Sequence, residues 1–341
     1  MLTASEEHGV FEEHWAIALF SLTNELLEAS RTADELLEAV LESGAARRIE
    51  IDAPQHFRAH PRAGAEEVAA TRAVLDRHGA TPTLLGVYAE RWAAPGAPAD
   101  PARARDALAA QLRTAAELGC GGARVALGTL DEADLRALLP QLEAAGLDLL
   151  LEVQGATPPD APVVQEALGV LDRLDHDRLG ILFDISVCTP RVPVSWRTAL
   201  REAGVADEFG DRVEEAWGRV APAELAGVVH AALAEFPPPA GTGPLVTACL
   251  SRFGASAVAD WSDLLPRVRG VHLKFWDAED ADARISGPIH DLARALDRRG
   301  FAGDWTSEWG GHQWMSLPVG WQGMTAAHRA VAEPAIRAGA A

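Results

Sequence analysis

Residues 147–155 read LDLLLEVQG, and this stretch decides the fold. Side chains alternate across a strand, so Leu149, Leu151 and Val153 make one wholly apolar face while Glu152 shares the other with Leu150 and Gln154. Such a strand buries one side under helices and ends in a carboxylate on the other, just before a glycine that leads out. Three further stretches repeat the design. LGILFDISV (179–187) carries Asp184 opposite Ile181, Phe183 and Ile185. RGVHLKFWD (269–277) carries His272 and Lys274 opposite Val271, Leu273 and Phe275, and GDWTSEWGG (303–311) carries Glu308. Strands covered outside and charged inside at their C-terminal ends are what the active end of a (β/α)8 barrel, the TIM barrel, requires.

Outward from these four, strand and helix signals alternate along the whole chain. The first strand is expected over Ala16–Leu22, with others over Arg48–Asp52, over Leu84–Tyr88 and from Ala123. Thr32 with Glu35 three positions on is a capping box, closed by Gly44; Asp100-Pro101 opens a helix that stops at Gly119; Asp131 caps the next, and another runs over Ala161–Leu174. Unbroken succession argues for a parallel sheet in an α/β protein, here one domain over residues 1–341. The spacing breaks once: 32 positions separate Glu152 from Asp184 and 36 separate His272 from Glu308, but 88 separate Asp184 from His272. The surplus predicts a helical insertion after strand six, at approximately 188–265. Helices are expected near 194–203, 207–220 and 223–236, then the breaker FPPPAGTGP (236–244) and a last helix leading to strand seven. An insertion there rises from the catalytic end, placed for a lid or a subunit contact.

Composition narrows the partners. A chain of 341 residues with 48% hydrophobic content sustains a large core. Net charge of −20 opposes polyanions, so nucleic acid and acidic membrane surfaces are not expected partners. The N-terminus is acidic ahead of its first apolar stretch, and no run approaches the ~18 apolar residues of a membrane span, so a cytoplasmic protein is expected. Three cysteines without CxxC spacing indicate buried thiols rather than disulfides or a thiolate zinc site.

Three carboxylates and an imidazole converging at a barrel mouth repel one another unless a cation sits among them. One divalent ion resolves the conflict. Oxygen-rich ligation with one nitrogen favours Mn2+, with Mg2+, Co2+ and Zn2+ admissible. Glu152, Asp184, His272 and Glu308 are the candidate metal ligands, and Glu152 and Glu308 the candidate acid/base pair for moving a proton next to a sugar carbonyl. Around them, Lys274 and Gln154 face the same lumen; Glu50 ends strand two with Asp52, and His56 follows in the loop. His312 stands at the rim, and Trp276 lies beyond strand seven. These six, Lys274, His312, Gln154, His56, Glu50 and Trp276, are the candidate substrate contacts, the indole suiting the apolar face of a sugar or a flat aglycone.

GVHLKFWDAED (270–280) and PIHDLARALDRRGFAGDWTSEWGGH (288–312) resemble the closing signature of the xylose isomerase-like TIM barrel superfamily of sugar isomerases and epimerases. In that signature an HxK strand precedes a helix, a turn and a strand-eight Glu. The resemblance implies that Glu152, Asp184, His272 and Glu308 all bind the metal and that the activity is isomerisation or epimerisation of a sugar or polyol. Many members carry a His where this chain has Val187. EWGGHQW (308–314) and DISVCTPRVP (184–193) are similar to a divergent branch that includes C-glycoside deglycosidase catalytic subunits. Those are lyases that break the carbon–carbon bond between a 3-oxo sugar and its aglycone, usually with a small second subunit. Such enzymes are thought to use a further histidine near strand four, and this chain has no His between His78 and His176. The expected order is therefore isomerase/epimerase first, deglycosidase-type lyase second, and a non-catalytic sugar-binding barrel third. The expected partners are a carbohydrate and either a second copy or a small second subunit.

Overall fold

The computed structural model describes residues 11, 13–90, 92–94, 96–315 and 320–340. Eight parallel strands close into a barrel: β1 (Trp15–Ala18), β2 (Arg48–Asp52), β3 (Thr81–Gly86), β4 (Gly122–Ala126), β5 (Asp148–Val153), β6 (Leu179–Asp184), β7 (Val268–Phe275) and β8 (Trp305–Trp309). Closure is made by β1 on β8, with Trp15 opposite Trp305 and Ile17 opposite Ser307. The (β/α)8 architecture is the one the charged strand ends imply.

The outer layer is α1 (Ala33–Ser43), α2 (Ala65–His78), α3 (Pro101–Leu118), α4 (Glu132–Ala145) and α5 (Pro162–Leu174). The insertion adds α6 (Val194–Glu202), α7 (Asp207–Ala216) and α8 (Pro222–Glu235); α9 (Ser286–Asp297) and α10 (Trp321–Gly339) complete the ring. Local chemistry sets these boundaries. Thr32 Oγ1 accepts the Glu35 N–H at 3.2 Å while Glu35 returns the contact to the Thr32 N–H at 2.7 Å, and Gly44 ends α1 at φ 72°, a conformation costly for any residue with a Cβ.

Two expectations need correction. The first strand stops at Ala18, and Leu19–Leu22 turns as a 3-10 helix, because Ser21 Oγ accepts the backbone N–H of Trp309 at 2.9 Å and draws the chain over the end of β8. No long helix precedes β7 among the described residues. Short turns at Val258–Trp261 and Leu265–Arg267 stand there, with Pro266 inside the second. Trp261 meets Phe183 edge-on at 5.5 Å and covers the outer face of β6 where a helix was expected.

The insertion has a core of its own, built on Trp196, Phe209, Val213, Trp217, Val229 and Phe253. It is stitched to the barrel beside Asp184: the Gly254 N–H donates to Ser186 O at 2.8 Å and the Ser256 N–H to Val187 O at 3.1 Å. Among the described residues no helix is long and apolar enough to cross a membrane.

Candidate metal centre

Register brings the four strand ends together. Glu152 pairs with Leu182 across β5–β6, Asp184 with His272 across β6–β7, and Glu308 with Lys274 across β7–β8, so the four groups fall on three successive lumen-facing rows. Glu152, Asp184, His272 and Glu308 each offer one ligand atom, and these atoms all lie within 4.8 Å of one another in a fully buried pocket. Gln154 Nε2 stands 3.5 Å from Glu152, and Lys274 Nζ lies 2.6 Å from Glu308 Oε1 and 3.5 Å from Asp184 Oδ2.

The donor set fits a divalent cation. His272 Nδ1 lies 2.9 Å from Glu152 Oε1 and 2.7 Å from Glu308 Oε2, and a single ring N–H serves only one of them. The Glu308 contact lacks hydrogen-bonding geometry, and Asp184 Oδ2 is likewise buried without a hydrogen bond, the Lys274 ammonium standing 3.5 Å away. More lone pairs than protons therefore point at one place, an arrangement costly unless a cation occupies it. Three oxygens and one imidazole nitrogen suit a hard or borderline ion.

The protonation tendencies follow from the crowding. Burial pushes the Asp184 carboxyl up to about 6, although Lys274 opposes the rise, and Glu308 and Glu152 add to it. Burial would raise Glu308 too, but Lys274 and His272 hold it well below the carboxylate range. Burial would lower His272, yet Glu50, Glu308 and Glu152 surround the ring and hold it well above its ordinary value. Without a metal, the imidazolium is the local counter-ion.

The remaining candidates scatter. Glu50, 1% exposed, accepts from His272 Nε2 at 2.7 Å and from Arg124 Nε at 3.0 Å, so it stands on the Nε2 side of the imidazole. His56 closes the turn Ala53–His56, its Nε2 held by Asp34 at 3.0 Å and Thr71 at 2.9 Å and not by any of the four candidate ligands. Trp276 belongs to the insertion's core, 5.4 Å from Phe253 and stacked at 11° on Trp314, with its indole N–H lacking an acceptor. His312 sits between Phe20 and Trp309 with Nδ1 2.9 Å from Trp309 O, which makes Nδ1 the donor and leaves the Nε2 lone pair free to accept. Burial, with Lys274 adding to it, depresses its pKa to about 4.

Sequence reasoning missed Arg124 of β4 and Tyr88. The Arg124 guanidinium is buried against Glu50, Asp52 at 3.0 Å and Glu152 at 3.4 Å, and Tyr88 Oη donates to Asp52 at 2.9 Å. Strand alternation could have found it: Ala123 and Val125 face outward, which leaves Arg124 as a charge on the lumen face.

Residues 37–313 match the family model described as Xylose isomerase-like TIM barrel. The chain belongs to that family. Within it, the chain is 28% identical over 307 residues to a C-glycoside deglycosidase alpha subunit of Arthrobacter globiformis, covering 88% of this chain and 86% of the relative. It is 25% identical over 325 residues to a 3'-dehydrocarminate deglycosidase alpha subunit of a Microbacterium species, covering 90% and 92%. Among solved structures, a D-psicose 3-epimerase determined in the presence of D-fructose aligns with TM-score 0.50 at 13% identity over 95% of this chain and 97% of the other, a likeness of fold.

Proposed function

We propose that this protein is a metal-dependent enzyme that removes a proton next to a sugar carbonyl, and that the step serves to expel an aglycone from a 3-oxo-glycoside. The observation that carries the first part is the excess of lone pairs converging from Glu152, Asp184, His272 and Glu308. Similarity over 86% and 92% of the length of two deglycosidase alpha subunits supports the second. Mn2+ remains our first choice of ion. A divalent cation held by the four would polarise the 3-oxo group and make the hydrogen on the neighbouring C2 acidic.

The chain's own groups then move the proton. Glu308, kept ionised by Lys274, or Glu152 across the imidazole from it, accepts the C2 proton. The electrons of the C2–H bond form the C1–C2 double bond, and the bond from C1 to the aglycone breaks with its electron pair leaving on the aglycone. The glutamate that took the C2 proton then delivers it there. Lys274 and the free Nε2 of His312 are placed to hold sugar oxygens, and Gln154 to orient Glu152. The alpha-subunit designation of the relatives supports assembly with a small second subunit.

Epimerisation shares the first step and differs only in returning the proton to carbon. The approach of Glu152 and Glu308 to His272 Nδ1 from different strands favours keeping it as the second reading. The test is a purified protein stripped with chelator, reloaded separately with Mn2+, Mg2+, Co2+ and Zn2+, and given a 3-oxo-C-glycoside with an aromatic aglycone, with and without a co-encoded small subunit. Metal-dependent aglycone release is expected. Turnover of ketoses with no aglycone release moves the second reading ahead, and full function in Glu308→Gln overturns both.

A further inference from the structure

Arg124 is buried in the lumen, and it is paired with carboxylates from two other strands. Its Nε donates to Glu50 Oε1 at 3.0 Å, one terminal nitrogen donates to Asp52 Oδ1 at 3.0 Å, and the other lies 3.4 Å from Glu152 Oε2. The planar fork matches three acceptors in different directions, a task a lysine ammonium on a flexible stem performs poorly. The space for it is built in. A Cβ on Gly86 would come within 2.9 Å of the guanidinium carbon and 2.8 Å of Asp52 Oδ1, so any larger residue at that level of β3 would push the pair aside. Tyr88 closes the outer side, its hydroxyl on Asp52 and its ring 5.8 Å from the guanidinium.

Two of the three contacts lead directly to the metal ligands. Glu50 Oε1 is taken by Arg124, and Glu50 Oε2 faces His272 Nε2 at 2.7 Å. A carboxylate fixed in that position favours the tautomer with its proton on Nε2, which turns the Nδ1 lone pair toward Glu152, Asp184 and Glu308. Glu152 Oε2 is drawn to Arg124 while Oε1 faces the cluster.

We propose that Arg124 is a positioning residue of the metal centre: through Glu50 it sets the tautomer of His272, and through Glu152 Oε2 it selects the oxygen presented to the ion. The inference rests on reading the four residues as metal ligands. Because a guanidinium stays protonated, it follows that Arg124, the charge on the lumen face of β4, is a fixed cation and cannot itself accept the substrate's proton.

Full-length wild type, Arg124→Met and Arg124→Lys are titrated with Mn2+ alone in competition with a chromophoric chelator, beside thermal unfolding and nitrogen-15 NMR of His272 in the Zn2+-loaded protein. The expected result is one ion per wild-type chain with His272 protonated on Nε2. Arg124→Met should bind Mn2+ about 10- to 100-fold more weakly, the range typical of lost outer-shell partners, with the lysine variant in between. If Arg124→Met does not fold, Arg124→Lys decides the case, since it keeps the buried charge and loses the fork. Wild-type Mn2+ affinity in a folded variant, or a lower melting temperature with affinity unchanged, overturns the inference while leaving the centre intact. A wild-type protein that takes up no metal overturns both.

Discussion

The barrel lumen and the core of the insertion are both buried, yet they are held by opposite means. In the lumen, Glu50, Asp52, Glu152, Asp184 and Glu308 are buried around Arg124, Lys274 and His272, and the region is held by ion pairs that still leave an excess of carboxylate oxygens. In the insertion, Phe253 touches the rings of Trp196, Trp217, Trp276 and Trp314 at 5.2 to 6.2 Å, and the core is apolar surface in contact with apolar surface. Charge networks fail all at once, because removing one member strands another in low dielectric. Apolar cores fail in proportion to the volume removed. A substitution in the lumen should therefore be read in metal binding and turnover, and one in the insertion in stability.

The largest effect should come from His272→Asn, which removes the one nitrogen donor among the four candidate ligands. Metal stoichiometry should fall below detection and kcat/KM by at least ~10^3-fold, about 4 kcal/mol of transition-state stabilisation. Retained stoichiometric metal would break the contrast at its strongest point. Phe253→Ala should cost about 3–5 kcal/mol in denaturant unfolding, the usual penalty for a buried ring, with Mn2+ affinity within roughly twofold of wild type. A parallel loss of metal binding would show that the insertion supports the centre and is not an independent core.

The wall between lumen and α10 supplies a pH test. His328 stacks on Phe275 at 3.9 Å, with Nδ1 2.8 Å from Ser307 Oγ, and burial pushes its pKa down to about 3. The folded value lies below the unfolded ~6.5, so the unfolded chain binds the proton more readily. This contribution to stability is full above about pH 6.5 and should fall by roughly 1 kcal/mol per unit as pH drops toward 3. His328→Asn should flatten that slope in thermal scans of the metal-loaded protein. The opposite displacement of His272 has the opposite sign: its protonated form favours the metal-free fold at low pH, and that contribution is lost as pH rises through its raised folded value. Smallest, Thr32→Ala removes the capping box of α1, away from both regions, and should cost about 1 kcal/mol while leaving turnover and metal affinity unchanged.

Much of the barrel was legible because strand alternation and caps are local. Glu152, Asp184, His272 and Glu308 could be picked out from single strands, since each is the charged residue at the end of an apolar run. The boundaries that misled, the ends of β1 and the stretch before β7, are those where a distant group decides: Ser21 capping Trp309, and Trp261 standing in for a helix on Phe183. His56 and Glu50 illustrate the same limit at the site. Glu50 lies within β2 and His56 just beyond it, but α1 and α2 hold His56 through Asp34 and Thr71, while Arg124 and His272 hold Glu50.

The sequence by itself determined the (β/α)8 plan, the presence of an insertion after β6 and the four residues that meet at the barrel mouth, because period-two alternation and helix capping are written within a few residues of chain. Tertiary structure alone decided which side chains stand between those four and the rest of the lumen. Arg124, Asp52 and Tyr88 come from three strands or their ends, and their partnership exists only once the barrel's stagger sets them at one level. Register across neighbouring strands is a property of the closed sheet, and no single stretch of the chain contains it.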